Sequence, residues 1–337
     1  MRDFLNPVPD LNGASIMVTG VTGSFGNAFI RGVLEKFNPK KLIIFSRDEL
    51  KQSEMMESFP DTKYPSMRYF IGDIRDVDRL KIAMREVNYV VHAAALKQVP
   101  AAEYNPMECI KTNVMGAENI VMAAMEADVG RVVALSTDKA ANPINLYGAS
   151  KLASDKIFVA ANNLSGKGGT RFSVVRYGNV IGSRGSLIPK VKRLVEEGAP
   201  FIPVTDEKMT RFWITVKQGV DVVLSSLEMM EGGEIFVPKI PSMRITDLVN
   251  MLAPAVPYQV TGIRPGEKVH EVMITADDAR QTVELDDRFI IQPAFDFWAD
   301  RQSSKPQGTR VEEGFVYSSD NNPDWLTSEE FKEMCGN

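Results

Sequence analysis

Ala14-Ser15-Ile16-Met17-Val18-Thr19-Gly20-Val21-Thr22-Gly23-Ser24-Phe25-Gly26 runs from an apolar segment through three spaced glycines into Phe25–Phe37, a stretch with helical spacing. A short, nearly continuous apolar run reads as a strand buried on both faces. The glycines let the backbone turn sharply. The helix behind them presents free N–H groups and a partial positive charge to whatever sits in the turn. Strand, glycine turn and helix occur in the order that a pyrophosphate site requires, although a plain glycine-rich turn would look the same locally. Gly20, Gly23, Ser24, Phe25 and Gly26 are therefore expected to cradle the phosphates of a dinucleotide.

Outward from this turn, the first half of the chain keeps one rhythm. Apolar, β-branched runs at Lys41–Ser46, Met67–Ile71, Tyr89–Ala94, Arg131–Ser136 and Phe172–Arg176 alternate with helical spacing at Asp76–Val87, Pro106–Ala127 and Tyr147–Asn163. That alternation predicts an α/β fold with a doubly wound, Rossmann-type parallel sheet. Beyond Gly182 the segments shorten and Pro, Gly and charged residues become frequent. Residues 1–182 are expected to form the dinucleotide-binding domain, and 183–337 a smaller mixed α/β substrate lobe. The helix Val216–Met230 is expected to return to the sheet. Thr327 and Glu330 have capping-box spacing for a last short helix. The polar stretch Ala299–Glu313 is expected to be the most mobile.

Length and composition narrow the function. The 337 residues suit two domains; 44% are hydrophobic and 25% charged, and the net charge of −5 provides no basic field for nucleic acid or anionic membrane. Two His and two Cys exclude a Cys-rich zinc site or a disulfide framework, and no metal site is expected. Met1–Asp10 lacks the apolar core of a signal peptide, and no window of ~18 apolar residues could span a bilayer. A soluble, cytoplasmic protein is the expectation, with acid–base chemistry resting mostly on residues other than His.

The end of the second strand bears on the cofactor. An NAD site usually has an acid there, whereas this strand ends Phe45-Ser46-Arg47-Asp48-Glu49-Leu50-Lys51. Ser46 takes the acid's place, and Arg47 with Lys51 could clamp a 2′-phosphate, which favours NADP. Asp48 and Glu49 also read as helpful charges in the first turn of a helix. Asp73 and Ile74 would border the adenine, and Ala94 completes the cofactor set. Tyr147 and Lys151 lie one helical turn apart on one face. A neighbouring ammonium stabilises a phenolate. The spacing alone arises by chance about once in two such chains, so its place after the fifth strand is what gives it weight.

With the glycine turn, the Tyr-x-x-x-Lys pair resembles the extended short-chain dehydrogenase/reductase family. That resemblance implies Tyr147 as base, with Lys151 as ribose anchor and pKa modifier. The run Ser136-Thr137-Asp138-Lys139-Ala140-Ala141-Asn142-Pro143-Ile144-Asn145-Leu146-Tyr147-Gly148-Ala149-Ser150-Lys151 is similar to the inverting UDP-N-acetylglucosamine 4,6-dehydratases that open the pseudaminic acid pathway. Ser46–Met55, His92–Pro106, Val175–Gly185, Met209–Thr215 and Gly262–Met273 share the resemblance. Retaining dehydratases carry Thr-Asp-Glu where this chain has Thr137-Asp138-Lys139. A related dehydratase/epimerase group tends to have Met in place of Tyr147.

The resemblance implies a division of labour. Tyr147 would take the proton of the sugar's 4-hydroxyl, Lys139 the carbon-5 proton, and Asp138 would be the acid for loss of the 6-hydroxyl, with Thr137 beside them. Lys139 must be neutral to act as a base, and cationic neighbours with partial desolvation would lower its pKa. The alternative is that Asp138 and Lys139 are a solvated loop pair. Arg211 and Arg264 are candidates for the UDP-sugar diphosphate, or else ordinary surface arginines. Asn179, Glu267 and Tyr317 are carried over as substrate contacts. Lys97 could touch both cofactor and sugar, or be a solvated loop lysine. His92, His270 and Cys109 read as structural, and Cys335 falls in the tail. Relatives usually self-associate, so a homo-oligomer is expected, from a dimer to a hexamer. The rival readings are a simple 4-epimerase or retaining dehydratase of this fold, and an NADP-sensing module without turnover.

Overall fold

A computed structural model describes residues 2–183, 186–295 and 308–335. The alternation of the first half becomes β1 (Ser15–Thr19), α1 (Ser24–Lys36), β2 (Lys41–Ser46), α2 (Glu49–Ser58), β3 (Met67–Ile71), α3 (Val77–Ala83), β4 (Tyr89–His92), α4 (Val99–Tyr104), α5 (Pro106–Ile110), α6 (Gly116–Glu126), β5 (Arg131–Thr137), α7 (Leu146–Ser165) and β6 (Arg171–Tyr177). Every residue of β1 is buried because parallel neighbours flank it, with Ile16 opposite both Leu42 of β2 and Tyr89 of β4. The parallel strands run β3-β2-β1-β4-β5-β6, which is the doubly wound order. Helix α1 packs on α9 (Val216–Met229), and α6 lies between α3 and α7. Each fully buried Ile, Val or Phe under these helices contributes roughly 1.5–3 kcal/mol.

The second half departs from a clean lobe. It contains β7 (Asn179–Val180), α8 (Leu187–Glu196), β8 (Ile202–Val204), β9 (Thr210–Ile214), β10 (Ile235–Pro238), β11 (Ser242–Arg244), α10 (Ile245–Leu252), β12 (Tyr258–Val260), β13 (Val272–Ile274), β14 (Thr282–Glu284), β15 (Arg288–Ile291), β16 (Thr309–Arg310), β17 (Tyr317–Ser318) and α11 (Ser328–Met334). Strand β10 joins β6 in parallel, and β15, β14 and β16 continue the same sheet in antiparallel fashion to ten strands. Residues 235–238, 282–284, 288–291 and 309–310 thus belong to the main sheet rather than to a substrate lobe beginning at 183. The strands are individually too short for sequence spacing to show which sheet they join. Positions 299–307 of the stretch expected to be mobile lie outside the described residues, whereas Thr309–Arg310 is an edge strand.

A separate small core gathers Ile188, Val191, Trp213, Leu248 and Phe331. The Trp213 and Phe331 rings meet edge to face, with centroids 5.3 Å apart. Helix α11 starts on the capping box of Thr327 and Glu330, and α9 on one formed by Thr215 and Gln218. The expected helix Pro106–Ala127 is interrupted at Lys111–Met115 by a π-turn. One extra residue in a locally underwound turn leaves apolar periodicity almost unchanged, so the spacing alone conceals it.

Candidate active site

The carboxyl ends of β1, β4, β5 and β6 open onto a cleft of about 680 Å³. At one end of this cleft is the glycine turn. Gly20 sits at φ +67°, and a Cβ there would stand 2.5 Å from the backbone nitrogen of Ala94. Gly26 is buried below, where a side chain would run into the Val21 carbonyl. Gly23, the N-cap of α1, has only the Gly20 carbonyl within 4 Å of where a Cβ would be, at 3.6 Å, and faces the cleft with Ser24 and Phe25. Open space over a helix N-terminus fits a dinucleotide pyrophosphate.

Ser46, Arg47, Lys51, Asp73, Ile74 and Ala94 also line the cleft. Asp48 caps α2 by accepting the Lys51 N–H, and its second oxygen pairs with Lys51 Nζ. Those bonds hold the Asp48 carboxyl below its usual range. Burial works against ionisation of Asp73, but hydrogen bonds from Arg75 and the charge of Arg47 outweigh it and keep the carboxyl low. Arg47 is 3.6 Å from Asp73 with its side chain 58% exposed, so of the expected phosphate clamp it is the more available member.

The other end is built on the turn after β5. Gly148 lets the first turn of α7 approach that turn, since a side chain there would strike the Lys139 carbonyl. Asn145 caps α7 by accepting the Gly148 N–H at 2.8 Å, and donates to the Gly266 carbonyl at 2.7 Å. Thr137, Lys139, Tyr147, Lys151, Lys97 and Asn179 all border the cleft. Asp138 is fully buried behind them: its Oδ1 accepts from Thr137 Oγ1 at 2.8 Å and Lys139 Nζ at 3.0 Å. Its Oδ2 has no hydrogen-bond partner among the described residues.

Protonation at this end differs from the sequence expectation. Burial would lower the Lys139 pKa, but the carboxylates of Asp138 and Glu271 overcome it and the net direction is up. Burial pushes Tyr147 up to about 12, opposed by the charge of Lys139 and a hydrogen bond with Thr137. The charge of Lys139 is the largest influence drawing the Tyr147 pKa down. Lys151 donates to the Leu135 carbonyl at 2.7 Å, and burial holds its pKa down. Burial against the cleft wall also lowers Lys97.

Four expected substrate residues fall outside the cleft lining. Arg211 is buried, and its guanidinium donates to the carbonyls of Thr210, Val269 and Lys268. Tyr317 is buried beside Phe212 and Phe289, with its hydroxyl bonded to both the N–H and C=O of Ile240. Arg264 is exposed outside the cleft lining, and Glu267 faces the backbone N–H of Arg264 at 3.4 Å. Arg211 and Tyr317 look like ligand contacts in sequence because nothing local shows that backbone groups already occupy them.

Three contributors escaped the sequence reading. Asn113, in the π-turn, bonds the N–H and C=O of Leu96 and the Ser150 hydroxyl, pinning the loop that carries Lys97. Thr112 borders the cleft with a buried hydroxyl that has no partner among the described residues. Glu271 pairs with Lys139 at 3.2 Å. The histidines are structural. His92 Nδ1 meets Thr19 Oγ1 at 2.8 Å, and burial takes it down to about 3. His270 Nδ1 meets Thr210 Oγ1 at the same distance. Cys109 is wholly buried.

The polysaccharide biosynthesis protein family matches residues 16–293. The chain belongs to that family. It is 55% identical over 329 residues to the UDP-N-acetylglucosamine 4,6-dehydratase (inverting) of Campylobacter jejuni, covering 96% of this chain and 97% of the relative. Among solved structures, Pen from Bacillus thuringiensis is 34% identical with a TM-score of 0.87, over 96% of this chain and 97% of that one. DesIV, a dTDP-glucose 4,6-dehydratase from Streptomyces venezuelae with NAD bound, is 23% identical with a TM-score of 0.67 over 76% and 86%, and shares the fold. The resemblance seen in Ser136–Lys151 thus extends along nearly the whole family member, and the Rossmann-type sheet expected from the glycine turn is borne out.

Proposed function

We propose that this protein removes water from UDP-N-acetylglucosamine to give the 4-keto-6-deoxy sugar with inversion at carbon 5, the first step of pseudaminic acid biosynthesis. The observation that carries this reading is the grouping of Thr137, Asp138, Lys139 and Tyr147 at one end of a cleft whose other end fits a dinucleotide. The identity with the Campylobacter jejuni dehydratase supports it.

A nicotinamide dinucleotide bound across the cleft would supply hydride acceptance and return. Gly20, Gly23 and Ser24 would hold its phosphates, and Lys151 the ribose beside Tyr147. Arg47, with Lys51 nearby, would make it NADP by meeting a 2′-phosphate. Tyr147 receives the 4-hydroxyl proton, with Lys139 and Thr137 favouring its phenolate. A 4-ketone acidifies the carbon-5 proton, which Lys139 removes. The resting ion pair becomes an acid and a base when one proton crosses the 3.0 Å contact from Lys139 Nζ to Asp138 Oδ1, with no change in the charge of the pair. Asp138 is sealed from the cleft, so its proton would reach the departing 6-oxygen through the Thr137 hydroxyl, which donates to Asp138 Oδ1 and belongs to a residue lining the cleft.

Asn179 and Lys97 are the sequence-named sugar contacts that border the cleft. The reading makes the protein a cytoplasmic homo-oligomer. Tyr104, Met107, Met115 and Met122 expose apolar surface along α4 to α6, and no helix among the described residues is long and apolar enough to cross a membrane. Incubation with UDP-N-acetylglucosamine in D2O, followed by NMR, tests the reaction. The 4-keto-6-deoxy product should appear with deuterium at an inverted carbon 5. Unchanged sugar or a carbon-4 epimer alone overturns the reading, and the retained configuration reassigns it.

A further inference from the structure

Glu271, just before β13, is 2% exposed. Its Oε1 lies 3.2 Å from Lys139 Nζ and 3.7 Å from Arg211 Nε; its Oε2 is 3.9 Å from Lys268 Nζ. Its backbone is pinned on both sides: the N–H donates to Ser319 Oγ at 2.9 Å, and the carbonyl accepts the Ser319 N–H at 2.8 Å. Arg211 fixes the preceding residues through the carbonyls of Lys268 and Val269, and Lys268 reaches the Ala141 carbonyl at 2.6 Å. A buried carboxylate is costly unless paired, so this one has been set rigidly against a reacting lysine.

We propose that Glu271 is a positioning residue that holds Lys139 in the cleft and strengthens it as the carbon-5 base. The inference rests on the dehydratase reading given above. When the Nζ lone pair takes the carbon-5 proton, the C–H electrons pass into the enolate of the 4-ketone and Nζ becomes an ammonium. When the carbon 6–oxygen bond breaks, the enolate electrons form the new double bond and Asp138's proton leaves in the water. Glu271 meets an ammonium in the resting pair and again once Nζ has taken the carbon-5 proton, so what it supplies throughout is a fixed direction for Nζ and a stronger base whenever the proton rests on Asp138. A reacting atom held in place loses rate steeply when its anchor is removed. The groups facing Lys139 are Asp138 from its own turn, Tyr147 from α7, Arg211 from β9, and Lys268 and Glu271 from the segment before β13. Among these, Glu271 and Asp138 favour the ammonium, and Arg211 opposes it.

The test uses the full chain labelled with 15Nζ-lysine. The Lys139 signal, assigned by its loss in Lys139→Arg, is titrated by NMR, and carbon-5 deuterium exchange from UDP-N-acetylglucosamine is followed across pH in parallel. In Glu271→Gln the Lys139 titration and the high-pH limb of exchange should both move down by about one unit or more, and exchange at neutral pH should fall roughly tenfold to a hundredfold because Nζ is no longer held against carbon 5. Glu271→Asp should restore both limbs. Equal loss at every pH with an unmoved titration means a merely structural role and overturns the proposal. If Glu271→Gln does not fold, Lys268→Met decides: removing a cation that competes for Glu271 should move the titration upward, and no movement or a downward one overturns it. Wild-type protein that shows no exchange while the Glu271→Gln titration still shifts defeats the dehydratase reading and leaves the pairing intact.

Discussion

Lys139 and Lys151 lie twelve residues apart in sequence, border the same cleft, and are held in opposite ways. Lys151, on the buried face of α7, donates to a backbone carbonyl, and burial lowers its pKa. Lys139 is wedged between two carboxylates contributed by separate parts of the chain, and its pKa rises. In the proposed reaction the difference would separate two tasks. A lysine that anchors a ribose needs a fixed direction, which one carbonyl supplies. A lysine that cycles a proton needs partners whose attraction changes as its charge changes.

That contrast can be broken most easily at Lys139. Lys139→Met should cut carbon-5 exchange by about a hundredfold to ten-thousandfold while dinucleotide affinity, measured by calorimetry, stays put. Lys151→Met should do the reverse first, weakening the dinucleotide at least about tenfold through the lost charge-assisted hydrogen bonds. If both variants lose cofactor equally, the two lysines share one job.

Stability against pH sharpens the same comparison. The folded pKa of Lys139 is raised, so its contribution is full below its ordinary 10.5 and fades as pH climbs past that value. The folded pKa of Lys151 is lowered, so below 10.5 the folded form binds fewer protons than the unfolded one and stability rises with pH. In denaturant titrations, the deficit of Lys139→Met relative to wild type should shrink above pH 10.5. That of Lys151→Met should grow on the approach to it.

Smaller effects are expected farther from the two lysines. Arg47→Ala should weaken NADP about tenfold and NAD little, as one charge-assisted contact to a 2′-phosphate implies. Tyr317→Phe should cost about 1 kcal/mol in unfolding for its lost hydrogen bonds to Ile240 and leave KM unchanged. A raised KM would restore Tyr317 as a sugar contact.

The two ends of the cleft were not equally legible. The glycine turn, Ser46–Lys51 and the Tyr147–Lys151 pair are each contiguous or one helical turn long, so local spacing reveals them. Glu271 and Arg211 acquire meaning only where the segment before β13 meets the turn after β5, more than a hundred positions away. Lys139 shows the consequence. Its identity is readable in the motif, but one of the two carboxylates that raise its pKa lies on that distant segment. Tyr317 and Arg211 show another limit, because their hydroxyl and guanidinium bond mainly to backbone atoms that no motif reveals.

The continuation of the main sheet past residue 182 reaches beyond the cleft. Strand β6 finds its outer neighbour only in β10, and β10 is shielded in turn by β15, which closes with residues 288–291. A polypeptide ending at 182 would carry the whole glycine turn after β1 and both lysines, yet offer the open edge of β6 to any extended chain nearby. More than fifty residues separate position 182 from β10, so the edge of β6 can be capped only after all of them have been added to the chain.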